Sequence, residues 1–423
     1  MHGTARLAFA RADAAAILGP VSFTHPRTAA LQDQSLPEVA TLLASPTPAP
    51  IEAAISGVGG RIDDVELLQV TWWPGTSITV RYRISISGGE LEGTSTFVCV
   101  AGRIPDGALV VEGDQGSVGV WRVPHDPALP GLAAALDKER AARLLADLGG
   151  SPGQVGTRLV AYRPGRRAVV SVSGAEEGLY LKLVRPKHVE PLHRAHQELA
   201  AALPVPVSLG FSRDLGLIAL QAVPGLTLRA VLEDPNEPIP SPVDIVELTH
   251  RLPAPAEARE APSTIARLDE IGPLLTAITP ELSGQIDDAI GAIGPESSPA
   301  DTPSHGDYYE SQLLVEDGAL VGMLDVDSYG WGRVADDGST MLGHLAVWAG
   351  MSRQPERVLG LGSSLIKLWD ELVDPADLRR RTAAVVLSLA TGPFRVQSVT
   401  WPEETALRVS LASQWLDSAL EVG

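Results

Sequence analysis

A few side chains stand out by type and order. His305-Gly306-Asp307 is followed by Gln312, and Asp325 closes a short apolar stretch beyond it. A carboxylate at a strand–loop junction can orient a hydroxyl and accept its proton, which makes Asp307 a candidate base. Gln312 and Asp325 offer hard oxygen atoms of the kind Mg²⁺ takes, usually together with waters and nucleotide phosphates. The Asp317-Gly318 pair between them reads as a hairpin turn, which brings Gln312 and Asp325 together. Upstream, Lys182 sits within the apolar strand Tyr180–Val184 and could supply a cation. Phosphoryl transfer needs this set: an orienting carboxylate, metal ligands and a positive charge on the phosphates.

The elements that must position these groups follow a clear order. Residues 22–60, rich in Pro, Ser, Thr and Ala, read as loops with a short helix. Alternating residues from Val65 onward turn at Pro74-Gly75 and read as a hairpin, with a third strand through Val98 and Cys99. A further strand lies near residue 120, and a helix starts at about Asp137 and stops at Gly149-Gly150. A second hairpin turns at Pro164-Gly165 and is followed by the lysine strand. Offset by 90, the hairpins match: Val70 with Val160, Trp72 with Tyr162, Val80 with Val170. Aligning Val98-Cys99 with Leu181-Lys182 leaves the first copy without a lysine, so no nucleotide site is expected there. A helix follows to Pro204, then two strands. Helices are expected at roughly 241–252, 264–277 and 280–293, a linker at 294–303, and helices over 337–422 broken near Gly360–Gly362, Pro375 and Thr391–Pro402.

The expected fold is therefore α+β and two-lobed. Residues 1–132 form an N-terminal cap module, which reads as a degenerate repeat of the next β-unit. Residues 133–223 form a strand-rich lobe and 224–423 a helical lobe. The net charge of −19 argues against a nucleic-acid partner, which would call for a basic surface. A single cysteine, Cys99, excludes an intrachain disulfide and a cysteine-based zinc site. No apolar run approaches the roughly 20 residues of a membrane helix. Arg6, Arg11 and Asp13 interrupt the apolar N-terminal stretch, so it is expected to be a helix of the fold, not a secretory leader. A cytoplasmic monomer or homodimer acting on a small molecule is the expectation.

The stretch HGDYYESQLL resembles the H-G-D-x-x-x-x-N catalytic loop of the aminoglycoside phosphotransferase and choline kinase group, which shares the protein-kinase-like fold. LDVDSYGWGRVADD resembles that group's following metal motif, LYLKLV its lysine strand, and LIALQAVPG the strand and hinge between lobes. The resemblance implies ATP and Mg²⁺ as cofactors. It implies Asp307 as base, with His305 bracing the loop, and Gln312 and Asp325 as metal ligands, with Asp327 a further candidate. Lys182 would meet the nucleotide phosphates, paired with Glu198 or, alternatively, Glu190. The turn Pro164-Gly165-Arg166-Arg167, with Gly165 and Arg166 at its centre, would lie over the phosphates, and backbone from Leu220 through Gln221 to Ala222 beside the adenine. Acceptor contacts are expected from Tyr309, Glu310, Arg395, Gln397 and Trp401. Two departures stand out. Gln312 replaces the usual Asn, as in maltokinase-like and glucosamine-kinase-like members, which also carry an extra N-terminal module. Gly332-Arg333-Val334 replaces the usual G-D-P, although Asp337 keeps the later acidic position. A sugar or amino-sugar acceptor is the implied substrate. An aminoglycoside-type antibiotic acceptor and a kinase-like module without catalysis are the alternatives.

Overall fold

The computed structural model describes residues 25–44, 47–150, 153, 155–174 and 178–422. The helix expected at the extreme N-terminus lies outside them. Three short helices come first: α1 (Pro26–Ala29), α2 (Glu38–Leu43) and α3 (Ala49–Ser56). The first sheet holds β1 (Arg61–Trp73), β2 (Ser77–Ser87), β3 (Gly93–Ala101), β4 (Leu109–Gly113) and β5 (Gly116–Arg122), in the order β1-β2-β3-β5-β4. Sequence patterning misses β4, a five-residue edge strand with no buried residue and hence no alternation to read. Helices α4 (Leu132–Leu136) and α5 (Lys138–Asp147) lead to the second sheet, Asp137 capping the second of them through Arg140 N at 2.9 Å.

The second sheet holds β6 (Gly156–Arg163), β7 (Arg167–Ser173), β8 (Leu179–Val184), β9 (Ser208–Ser212) and β10 (Leu217–Gln221), with α6 (Pro186–Ala200) between β8 and β9. Its order, β6-β7-β8-β10-β9, repeats that of the first sheet. The two hairpins also share register near their turns. Trp72 pairs with Ile78 as Tyr162 pairs with Ala168, and Trp73 with Ser77 as Arg163 with Arg167. The third strands correct the alignment read from sequence by one position. Thr79 pairs with Val100, and Val169, ninety positions on, pairs with Lys182. Val100, not Cys99, therefore stands where Lys182 stands.

The sheets stack. One face of the first, with Val70, Trp72, Ile78, Val80 and Cys99 buried, is covered by α2 and α3. Its other face, with Val98, Val100 and Trp121, shares a core with Ala168, Val170, Leu181 and Leu183 of the second sheet. Trp121 Nε1 donates to the Tyr162 hydroxyl at 3.0 Å, and Arg81 Nη1 to the Tyr162 carbonyl at 3.1 Å. The free face of the second sheet carries Lys182, with Val184, Ile218 and Leu220 packed against Val189 and Leu192 of α6.

The helical lobe begins with β11 (Leu226–Thr227), α7 (Leu228–Glu233), α8 (Pro242–His250), α9 (Leu268–Ile278) and α10 (Ser283–Ile293). Strands β12 (Thr302–Ser304), β13 (Leu313–Glu316), β14 (Ala319–Met323) and β15 (Gly330–Gly332) follow, then α11 (Asp336–Ala349), α12 (Pro355–Asp370), α13 (Pro375–Leu389), α14 (Gly392–Arg395) and α15 (Trp401–Val422). The break expected at Gly360–Gly362 does not occur: α12 runs through both glycines. Burial of Val358, Leu361, Leu365 and Trp369 outweighs a propensity cost of about 1 kcal/mol per glycine. No described helix is long and apolar enough to cross a membrane.

Candidate active site

The loop between β12 and β13 carries His305–Gln312. Asp337, buried at the start of α11, holds its entry. One carboxylate oxygen accepts from Ser304 Oγ (2.9 Å) and Gly306 N (3.0 Å), the other from His305 N (2.8 Å). His305 is fully buried. Its Nε2 lies 2.8 Å from the Leu324 carbonyl, and its Nδ1 accepts from Asp307 N at 3.3 Å. These contacts assign the proton to Nε2. Gly306 adopts φ +75°, and a Cβ there would sit 2.6 Å from the Ser328 carbonyl oxygen, so only glycine fits. Tyr308 is buried and donates to the Ile245 carbonyl at 2.7 Å, which ties the loop to α8.

The β13–β14 hairpin turns at Asp317 (φ 50°) and Gly318 (φ 78°), as an Asp-Gly turn requires. At its open end Leu324 N donates to the Gln312 carbonyl at 2.7 Å, which brings Gln312 beside Asp325. Asp325 is held in the left-handed region at φ 56°. Its carboxylate faces Lys182 Nζ at 2.7 Å and Arg167 Nη2 at 3.0 Å. Asp327 takes the same two cations, Arg167 Nη1 at 3.2 Å. Burial opposes ionisation of Asp325, but Lys182 and Arg167 hold its carboxyl well below the usual carboxylate range. Burial would likewise lower the Lys182 pKa, yet Asp327 and Asp325 raise it. The neighbouring Asp307 behaves in the opposite way. Burial, then the charge of Asp325, push its pKa up, and its carboxylate makes no hydrogen bond to a described residue. A carboxylate so placed is a better proton acceptor than a solvated one.

These residues fit a Mg²⁺–nucleotide. Gln312 is nearly buried, and its side-chain amide has no hydrogen-bond partner among the described residues. No cluster of three or more acidic, His or Cys ligands is present among them. Mg²⁺ usually takes only one or two carboxylates, the rest of its shell being water and phosphate. The β6–β7 turn stands beside this group. Gly165 has φ +66°, its N–H donates to Asp126 at 2.7 Å and its carbonyl accepts from Arg185 Nε at 2.7 Å. Arg166 N closes the turn on the Arg163 carbonyl at 3.0 Å, and its side chain is exposed. At the hinge, Gln221 and Ala222 line a cavity of about 650 Å³ with Gly178, Val205, Val207 and Val223. Its size suits a small-molecule ligand.

Several expected roles are corrected. Glu198 does not meet Lys182. It accepts from Ala256 N (3.0 Å) and the Tyr329 hydroxyl (3.3 Å), because its face of α6 turns toward the helical lobe. Glu190 pairs instead with Arg213 near the surface. His196 is the buried titratable residue of α6, with Nδ1 2.8 Å from the Pro206 carbonyl and Nε2 without a hydrogen-bond partner among the described residues. Burial, then Lys182, lower its pKa to about 4, so it is neutral at pH 7. Glu310 is fully buried and closed off from an acceptor by Arg229, whose Nε lies 2.8 Å away. Gln397 turns its amide onto its own chain, at the Phe394 carbonyl. Trp401 is fully buried. Its Nε1 donates to Thr28 Oγ1 at 3.1 Å and its ring packs edge-on to Phe394 and His25. It fastens α1 to the helical lobe.

Of the other expected acceptor contacts, Tyr309 lies in the loop beside Asp307 and Arg395 ends α14. Tyr309 stacks on His344 with centroids 4.1 Å apart, and burial followed by Asp307 pushes its pKa up to about 12. The Arg395 side chain is exposed. Sequence reasoning missed Asp126 and His196. It named Arg167 only within the turn over the phosphates, and Asp337 only as the later acidic position, where Asp336-Asp337 reads more readily as a helix N-terminus.

No protein-family model matches the sequence, and no curated protein matches it. Solved structures do. One is a protein of Ralstonia eutropha JMP134 assigned as an aminoglycoside phosphotransferase, 14% identical, covering 68% of this chain and 99% of its own, with a TM-score of 0.49. Another is macrolide 2′-phosphotransferase from Brachybacterium faecium, 18% identical, covering 64% and 98%, TM-score 0.41. A third is choline kinase from Cryptosporidium parvum Iowa II, 13% identical, covering 67% and 97%, TM-score 0.45.

Proposed function

We propose that the protein is an ATP- and Mg²⁺-dependent phosphotransferase acting on a hydroxyl of a small molecule, a sugar or amino sugar in our reading. The observation that carries it is the juxtaposition of Asp307, with its raised pKa, and Asp325, held ionised by Lys182 and Arg167. Asp307 orients the acceptor hydroxyl and takes its proton. Asp325 and Gln312 hold the metal, with Asp327 beside them. Lys182 and Arg167 exchange carboxylate partners for phosphate oxygens, and the Gly165 turn with Arg166 covers them. Gln221 and Ala222 border the base. Bound Mg²⁺–ATP supplies the transferable phosphoryl group and neutralises charge on it. The sugar reading draws on Gln312 and the cap module that precedes the second sheet. Coupling of ADP release to a panel of sugars and aminoglycosides tests the reaction. Asp307→Ala is expected to lower turnover by roughly 10²–10⁴-fold with an unchanged melting temperature. Undiminished ATP-dependent turnover in that variant would refute the assignment.

A second reading, a nucleotide-binding module without catalysis, has one observation in its favour: no glutamate of α6 pairs with Lys182. The same panel separates the two, since a binding module releases no ADP with any acceptor.

A further inference from the structure

The Lys182 side chain is only 7% exposed, and a buried ammonium needs a fixed counter-charge. Neither candidate glutamate of α6 supplies it. Glu190 pairs with Arg213, and Glu198 meets Ala256 N and the Tyr329 hydroxyl. Among the described residues Lys182 Nζ has two carboxylate partners, Asp325 at 2.7 Å and Asp327. The two differ in what else they face. Asp325 has Lys182 on Oδ1 and Arg167 on Oδ2 at 3.0 Å, and the bond from Leu324 N to the Gln312 carbonyl sets it beside Gln312. A divalent cation and an ammonium repel each other at one carboxylate, so an Asp325 that serves a metal cannot also keep Lys182. Asp327 holds Lys182 on Oδ1 and Arg167 on Oδ2 at 3.2 Å, and so retains both cations when Asp325 gives them up.

The short turn Val326–Ser328 that carries Asp327 is fixed from several sides. Val326 is fully buried, and Arg259 Nη2 donates to the Asp327 carbonyl. Tyr329 N closes the turn on the Val326 carbonyl at 3.2 Å. The Tyr329 hydroxyl lies 2.8 Å from the Pro253 carbonyl and 3.3 Å from Glu198 Oε1. Helix α6 packs on this turn. It therefore braces the lysine at one remove: Glu198 helps to hold the turn, and the turn presents Asp327. We propose that Asp327 is the positioning residue of Lys182, in the part that a glutamate of α6 would otherwise take. It keeps the ammonium, with Arg167 beside it, aimed at the nucleotide phosphates, and it is not a metal ligand. Of its two carboxylates Lys182 gives up Asp325 alone. This rests on the phosphotransferase reading and assigns a role within it.

The test uses the full chain with Asp327→Asn, Asp325→Asn, Glu198→Gln, Lys182→Met, and Lys182→Met combined with Asp327→Asn. Melting curves check that each folds. Asp327→Asn is expected to lower kcat/KM for ATP roughly 10- to 100-fold, the loss that follows when a charged group is left unpositioned. In the Lys182→Met background the same change should cost about threefold at most, because there is no ammonium left to hold. Glu198→Gln should stay within about threefold of the parent. Mn²⁺ binding beside a non-hydrolysable ATP analogue, followed by electron paramagnetic resonance, separates the two aspartates without turnover. Its affinity should fall about 10-fold or more in Asp325→Asn and stay within about threefold in Asp327→Asn. Equal loss of Mn²⁺ in both would make Asp327 a metal ligand and overturn the proposal. An equal cost of Asp327→Asn with and without the lysine overturns it too, as does a Glu198→Gln defect as large as that of Asp327→Asn. If the parent releases no ADP with any acceptor, the phosphotransferase reading fails by itself. Calorimetry of the Mg²⁺-loaded analogue on the four corners of the lysine–aspartate cycle then decides the positioning role: coupling of about fivefold or more upholds it, and additivity defeats it.

Discussion

The two sheets of this protein share a strand order and a turn design, yet only one faces a cleft. In both, an aspartate from outside the hairpin pins its turn. Asp33 accepts from Gly75 N (2.6 Å) and Trp72 Nε1 (3.2 Å), while Asp126 accepts from Gly165 N (2.7 Å) and the Tyr162 hydroxyl (2.8 Å). The difference lies on the face that carries the third-strand residue. In the second sheet that face holds Lys182 and is flanked by α6. In the first, α6 has no counterpart. Residues 102–108 form a loop, Val100 replaces the lysine, and the face packs on the back of the second sheet. A lysine at Val100 would be a buried charge without a partner, which such stacking forbids. The chemistry of this architecture depends on which face is left uncovered.

The largest expected effect sets the two equivalent positions against each other. Lys182→Met should lower kcat/KM for ATP-dependent turnover by roughly 10²–10³-fold, since a preorganised charge on the phosphates is removed. Val100→Ala should leave kcat/KM within about twofold and cost about 1–2 kcal/mol of unfolding free energy in urea titrations, through lost apolar burial. If Val100→Ala impaired turnover as much as Lys182→Met, the first sheet would share in the chemistry and the contrast would fail.

The pinned turns give a smaller and sharper comparison. Asp126→Ala and Asp33→Ala each remove the acceptor of two hydrogen bonds from the hairpin, along with local ones from Ala128 N in the first case and from Ser35 N and Leu36 N in the second. Each should cost about 1–3 kcal/mol of stability by urea unfolding, the first more because Asp126 is 3% exposed and leaves the Tyr162 hydroxyl buried. Only Asp126→Ala should also raise KM for ATP, by about 10-fold, because its turn carries Gly165 and Arg166. Equal effects of the two variants on KM would place both turns at the nucleotide.

Legibility in the sequence followed the range of each interaction. His305-Gly306-Asp307, the Asp317-Gly318 hairpin and the lysine strand are local patterns, and each takes the conformation its residues favour. Partners across the chain were not legible. Which face of α6 turns toward Lys182 depends on how the helix rolls against β8 and β10, so spacing alone offered Glu198 or Glu190, which packing directs to Tyr329 and Arg213 instead. Trp401 has the makings of a sugar platform, but Thr28 and His25, more than 370 residues away, enclose it. Arg167 reads as the second half of an Arg-Arg pair. Only the fold reveals that it alternates to the aspartate side while Arg166 faces solvent.

The smallest expected effect concerns the interior of the first sheet. Cys99 on β3 is fully buried against α2 and α3, and burial pushes its thiol pKa far up. Leu181, its counterpart because it pairs with Val170 as Cys99 pairs with Val80, carries nothing that titrates. The sign follows from proton counting. A thiol with a raised folded-state pKa contributes its full stability below the unfolded-state value of about 8.5, and loses it as pH rises beyond that, because only the unfolded chain ionises. Between pH 8.5 and 9.5 this amounts to about 1 kcal/mol. Urea unfolding at the two pH values should show a loss about 1 kcal/mol smaller in Cys99→Val than in the parent, while the buried Tyr82, Tyr162 and Tyr308 act alike in both. Identical losses would mean that the thiol ionises in the folded state. Water would then reach the core of the first sheet, and its helix-covered face would be as open as the face that carries Lys182.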